Sequence, residues 1–161
     1  MKKVLFLGGA PTQLPPIKYA IEQGHYVITL DYLPENPGHK LAHQYYNVST
    51  TDKEGVLEVA RAENIDGIVA YASDPAAPTA AYVAEKMGLP GNPYESVEIL
   101  ARKDLFRDFL AKHGFNVPRS QAFYEEAEAS VWLDEIGVPA FVKPVDSSGS
   151  KGVTHLQKKE D

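Results

Sequence analysis

Three short apolar runs, Lys3–Leu7, Tyr26–Leu30 and Ile65–Tyr71, alternate with stretches of helical spacing in the first part of the chain. Lys3–Leu7 is a continuous run bounded by glycines, the pattern of a central parallel strand covered on both faces. Between and after the strands, Ile17, Ala20 and Ile21 share one face of a helix over Leu14–Gln23, stopped by Gly24. Val56, Val59 and Ala60 do the same over Asp52–Asn64, with Asp52 placed to cap its start. Thr79–Met87 is rich in alanine and ends at Gly88. Leu33–His39 holds Pro34, Pro37 and Gly38 and reads as loop. The alternation predicts an α/β fold with a doubly wound parallel sheet and right-handed crossovers.

The pattern changes after the segment Gly88–Pro93, which marks the expected boundary between a first region, residues 1–93, and a second, residues 94–161. Tyr94–Ala101 reads as a short helix. Lys103–His113 reads as another, with Leu105, Phe106, Phe109 and Leu110 as its apolar stripe and Gly114 after it. Arg119–Tyr124 is expected to be a strand, Glu125–Ile136 a helix, and Ala140–Lys143 and Val153–Gln157 two further strands.

Composition narrows the function classes. The chain has 161 residues, 43% of them hydrophobic and 24% charged, which suits a soluble globular protein. That length allows one domain plus part of a second and argues against a large multidomain enzyme. A formal net charge of −6 argues against nucleic acid as the main partner. With no cysteine, disulfides, thiolate catalysis and cysteine-based zinc sites are excluded. The apolar run after Met1–Lys3 is too short for a signal peptide or a membrane span, so a cytoplasmic setting is expected. His39 and His43, four apart, fit a metal pair on a helix or a solvated segment; no third ligand is apparent nearby, which favours the segment.

Several groups carry candidate chemistry. Gly8–Thr12 closes the first strand with small residues, which lets backbone N–H groups approach an anion. It departs from the dinucleotide pattern, because Ala10 replaces the second glycine and Pro11 follows, and a plain tight turn explains it equally well. Asp31 ends the second strand where an acid could face a bound sugar. Asp74, after the third strand, fits a pocket residue or, more simply, a helix cap before Pro75. The strongest feature runs from Phe141 to Val153. Lys143 lies on a strand expected to be buried, where an ammonium is costly unless an anion compensates it. A loop of Ser147, Ser148, Gly149, Ser150, Lys151 and Gly152 follows, whose N–H groups and hydroxyls suit phosphate oxygens. It is not a Walker A loop, since Gly149 precedes Lys151 by two residues. Lys103 and Arg107 share a helical face, for which a solvated charged surface is the default reading; together with Lys143, Lys103 supplies a second cation that could converge on one polyphosphate.

The order of these parts resembles the ATP-grasp superfamily, in particular its carbamoyl-phosphate-synthase-like and phosphoribosylglycinamide-synthetase-like members. The resemblance is carried by Lys103–Leu110, by Gly114–Pro118, by Val138–Pro144 and by the loop Ser147–Gly152. It implies a Rossmann-like pre-ATP-grasp sheet domain followed by a partial α+β ATP-grasp lobe. It implies an ATP-dependent carboxylate–amine ligase that activates a carboxylate as an acyl phosphate, with ATP and Mg²⁺ as cofactors. Lys103, Lys143, Ser147, Ser148, Gly149, Ser150 and Gly152 would hold the nucleotide; Gly9, Ala10, Asp31 and Asp74 would line the acceptor pocket for a small carboxylate or amine. In that superfamily the Mg²⁺-binding carboxylates lie beyond the glycine loop, so no metal ligand is expected in these residues. The chain is then expected to be the N-terminal fragment of a ligase, inactive alone, with an apolar surface that dimerisation would cover. The alternative is a non-catalytic α/β module that binds a nucleotide or a small acid.

Overall fold

The computed structural model describes residues 1–158 and 160, which divide into two compact units, Met1–Ala101 and Arg102–Asp161. The first unit is an α/β sheet domain. Its strands are β1 (Lys3–Leu7), β2 (Tyr26–Leu30), β3 (Gln44–Tyr46) and β4 (Gly67–Val69), in the order β3-β2-β1-β4 and all parallel. Its helices are α1 (Leu14–Glu22), α2 (Lys53–Glu63), α3 (Ala77–Met87) and α4 (Tyr94–Ala101).

Side chains two apart on a strand share a face, and here the two faces receive different helices. Leu5, Leu7, Ile28 and Leu30 pack with Val56, Leu57 and Ala60 of α2 and Val83 of α3. Phe6 and Val27, offset by one residue, pack with Ile17 and Ala20 of α1. Both faces of β1 and β2 are therefore covered, which explains why their sequences are continuously apolar. α2 begins as expected: the Asp52 side chain accepts a hydrogen bond from the Gly55 amide at 3.1 Å. Asn64 ends it in the left-handed conformation, with φ 52°.

The order of strands also fixes where a ligand crevice belongs. From β1 the chain moves outward through β2 to β3, then returns to the opposite side of β1 for β4. The C-terminal ends of β1 and β4 thus flank a topological switch point.

The first unit differs from the sequence expectation at several points. β3 is not announced by any apolar run, yet it pairs with β2 from Ile28↔Gln44 to Leu30↔Tyr46. Pairing with a buried neighbour, rather than its own pattern, makes it a strand. The expected boundary at residue 93 lies at Ala101 in the compact unit. α4 stays with the sheet domain because Tyr94 meets Tyr82 edge-on at 5.5 Å and Lys53 binds Glu98 at 3.3 Å. Within Leu33–His39, the loop tightens into a 3-10 turn, Pro37–Lys40.

The second unit holds α5 (Lys103–Lys112), α6 (Glu126–Ile136) and a two-stranded antiparallel sheet of β5 (Ala140–Val142) and β6 (Thr154–Leu156). Arg119–Tyr124, expected to be a strand, joins no ladder. Its β propensity finds no partner among the described residues, and propensity without a partner does not make a strand. α5 and α6 contain no buried residue. Phe115, Tyr124, Val131, Phe141 and Val142 are exposed, so the unit does present apolar surface.

Candidate functional site

In the second unit, the start of α5 and the glycine loop come together. The Lys103 amide donates to the Val145 carbonyl at 2.9 Å. Its ammonium donates to the Ser147 carbonyl. Arg102, at the N-cap of α5, binds Asp104 through two hydrogen bonds, 3.1 and 2.7 Å. This fork holds the first turn of the helix that carries Lys103, and the Arg102 guanidinium lowers the Asp104 pKa. Sequence reasoning passed over that pair; an Arg-x-Asp at a helix start was its only trace.

The loop has its own internal order. The Ser147 hydroxyl donates to the Lys151 carbonyl at 2.9 Å. Gly149, Ser150 and Gly152 have φ of 64°, 59° and 71°. A Cβ on Gly152 would lie 2.8 Å from Pro144 Cγ, so glycine is required there by contact as well as by φ. No bond among the described residues engages the amides of Ser148, Gly149, Ser150 and Gly152. A loop with left-handed residues and uncommitted N–H groups is suited to an anion, and the Lys103 ammonium is at its edge. Ser147 and Ser148 are half-buried.

Lys143 corrects one expectation. It is exposed, just past the end of β5, with its ammonium 5.3 Å from the Phe141 ring centroid. The strand is not buried, because β5 pairs with β6 alone and Phe141 and Val142 are themselves 61% and 54% exposed. Desolvation therefore gives no argument for an anion at Lys143; its solvated charge beside the loop is what it offers. No hydrogen bond or ion pair joins Lys143 to Lys103 or to the loop among the described residues.

In the first unit, Gly9, Ala10 and Asp31 lie at the C-terminal ends of β1 and β2. The Gly9 carbonyl accepts from the Gly38 amide at 2.8 Å, and a Cβ on Gly9 would lie 2.5 Å from His39 Cε1. The Ala10 amide donates to Gln13 Oε1 at 2.8 Å. Asp31 is buried and its carboxylate accepts from the Leu33 amide (3.2 Å) and from Asn36 Nδ2 (2.8 Å). Asp31 thus shapes the loop after β2. Asp74 stands apart: it is exposed, opens the 3-10 turn Asp74–Ala76, and makes no side-chain bond to the other three. The N-cap position belongs to Ser73, so Asp74 is not the cap. Favourable charge near a helix start remains its evident contribution.

Two buried residues support this end: Gln13, which the sequence did not single out, and His39, read there only as half of a metal pair or as part of a solvated segment. Gln13 binds Ala10, Leu7 and Tyr71. His39 sits between the Thr29 hydroxyl (2.9 Å from Nδ1) and the Leu33 carbonyl (3.2 Å from Nε2), stacked on Tyr45 at 4.1 Å. Since a carbonyl only accepts, Nε2 carries the proton and Nδ1 accepts from Thr29. Burial lowers the His39 pKa, and the nearby Asp31 charge opposes that. His43 does not share a site with it: His43 Nδ1 accepts from the Val27 amide at 3.0 Å, extending the β2–β3 pairing. Among the described residues no group of three His, Cys, Asp or Glu could hold a metal ion, and no helix is long and apolar enough to cross a membrane.

No protein-family model matches the chain. Individual relatives do. It is 30% identical over 160 residues to the phosphoribosylamine–glycine ligase of Pyrococcus abyssi, which covers 94% of this chain and 35% of the ligase. It is 27% identical over 175 residues to the carbamoyl phosphate synthase large chain of Pseudothermotoga lettingae, covering 99% of this chain and 16% of that one. Its fold matches the crystal structure of the L-amino acid ligase from Bacillus licheniformis with a TM-score of 0.74 and 25% identity, over 99% of this chain and 40% of the other. This chain belongs to the ATP-grasp superfamily. As an ATP-grasp chain it spans about a third of the length of the glycine ligases it matches. Two proteins of similar fold, the biotin carboxylase domain of the Hydrogenobacter thermophilus 2-oxoglutarate carboxylase and an N5-carboxyaminoimidazole ribonucleotide synthetase, have been solved with ADP.

Proposed function

We propose that this ATP-grasp chain contributes the first part of an ATP-dependent carboxylate–amine ligase. The sheet domain is the pre-ATP-grasp part and the second unit opens the ATP-grasp fold. In that reaction a carboxylate oxygen bonds to the γ-phosphorus as the bond to ADP breaks. An amine nitrogen then attacks the acyl carbon, and phosphate leaves with the bonding pair. Lys103 and the loop Ser147–Gly152 take the phosphates, with Lys143 adding charge from the strand end. The acceptor lies at the switch point, near Gly9 and Ala10.

The observation that supports this best is the joining of Lys103 to the glycine loop, two segments 44 residues apart, through the Ser147 carbonyl. Left-handed residues and free amides beside an ammonium suit a polyphosphate, and such charge-assisted bonds contribute about 1.5–3 kcal/mol each. Positioning and charge neutralisation are the chain's part in the chemistry. Mg²⁺ would neutralise phosphate charge in the complete site; the described residues offer no cluster of three His, Cys, Asp or Glu to hold it.

The test is Lys143→Met in the complete ligase. Turnover is expected to fall at least ~100-fold, the loss that accompanies removal of one charge-stabilising group. The melting temperature should not move, because the side chain is exposed. Turnover that survives the change would assign Lys143 to the strand alone. The isolated 161 residues are expected to bind nucleotide without turning it over, and a steady ATPase rate would contradict this.

A further inference from the structure

Gln13 is 6% exposed and uses its whole side-chain amide. Oε1 accepts from the Ala10 amide at 2.8 Å, while Nε2 donates to the Leu7 carbonyl at 3.3 Å and to the Tyr71 carbonyl at 3.1 Å. Leu7 ends β1, Ala10 lies in the turn after it, and Tyr71 follows β4. One side chain therefore ties together both walls of the switch-point crevice, reaching a carbonyl 58 residues further along the chain. The neighbouring backbone is built around it. Gly8 has φ 106°, and a Cβ there would lie 2.3 Å from Gln13 Oε1. On the other side the turn is held by the Gly38 amide on the Gly9 carbonyl at 2.8 Å.

We infer that Gln13 is a positioning residue: it sets the distance between the Gly8–Ala10 turn and the segment after β4, and so the shape of the acceptor crevice. The location of the acceptor rests on the function proposed above; the coupling of the two walls does not. All of the hydrogens on Nε2 are committed, so Gln13 works through the backbone it holds and does not touch the acceptor. Apolar bulk alone would not do this, because it would leave the Ala10 amide and two carbonyls without a partner.

The test uses the 161-residue chain without nucleotide and reads backbone resonances and amide exchange. Gln13→Met keeps the volume and removes all three bonds. It is expected to speed exchange of the Ala10 amide by about tenfold, the effect of roughly one lost hydrogen bond. The Leu7 and Tyr71 carbonyl carbons and the Ala72–Asp74 amides should shift together. Gln13→Glu separates the two halves. It keeps the acceptor for Ala10, whose protection should remain, but has no N–H for Leu7 and Tyr71, whose carbonyl shifts should follow the Met variant. If the Met variant does not fold, the Glu variant alone carries the reading. Unchanged Tyr71 and Ala72–Asp74 resonances in a folded variant would overturn the inference, leaving Gln13 as filler. Nucleotide titration of the glycine loop is a separate measurement, so failure here and failure of the proposed function are distinguishable.

Discussion

Lys103 and Lys143 carry the same charge in different surroundings. Lys103 is half-buried and bonded to the loop it is proposed to serve, whereas Lys143 is exposed beside an aromatic ring. Both lysines are visible in the sequence, Lys143 beside the glycine loop and Lys103 lying 44 residues from Ser147, but only the folded chain distinguishes a held cation from a solvated one. His39 gives a prediction at this scale. Its pKa is lowered in the folded state by burial, so the folded chain binds fewer protons than the unfolded chain just below the ordinary histidine pKa. Stability is then fully present above about pH 6.5 and falls as the pH drops through the lowered folded value. Protonation adds a hydrogen at Nδ1, where Thr29 now donates. Urea melts at pH 7.5 and pH 5.5 should show this loss, and His39→Gln should reduce the difference between them. Gly9→Ala is a second test: its Cβ would meet His39 at 2.5 Å, and a cost of about 1–3 kcal/mol is expected in the same melts.

Among the elements, those with a full apolar face were legible in the sequence. β1, β2 and α2 fall where the spacing predicts them, because each buries its pattern against a neighbour. β3 and the segment Arg119–Tyr124 were not, and for opposite reasons. β3 has little pattern but a partner, β2; Arg119–Tyr124 has the composition of a strand but no partner. Pairing is a property of the fold and leaves a weak mark on three to six residues. Asp52→Ala should lower stability by about 1 kcal/mol through loss of the Gly55 cap, measured as a shift of the denaturant midpoint with unchanged slope. Ile28→Ala, which empties a fully buried site between β1 and α2, should cost about 2–5 kcal/mol.

On the scale of the whole chain, stability and candidate chemistry are unevenly shared. Among the described residues every buried hydrophobic side chain except Leu156 belongs to Met1–Ala101. A polypeptide of residues 1–101 should therefore unfold cooperatively by itself, with a denaturant midpoint close to that of the first unit in the longer chain. The glycine loop, by contrast, belongs to the unit with little core, and its sequence was readable because left-handed turns need particular residues. The acceptor end was only partly readable: Gly9 and Ala10 mark a turn, but Gln13 and His39 are recognisable as its supports only once the strands are side by side. The central claim, that nucleotide phosphates meet Lys103 and the glycine loop, is tested most directly by titrating ADP into the isotope-labelled chain and following backbone amides. Binding of about millimolar strength is enough to be seen. The account predicts that Ser148–Gly152 and Lys103 shift together and that Lys103→Met removes those shifts; saturable shifts elsewhere in the chain, with the loop unmoved, would contradict it.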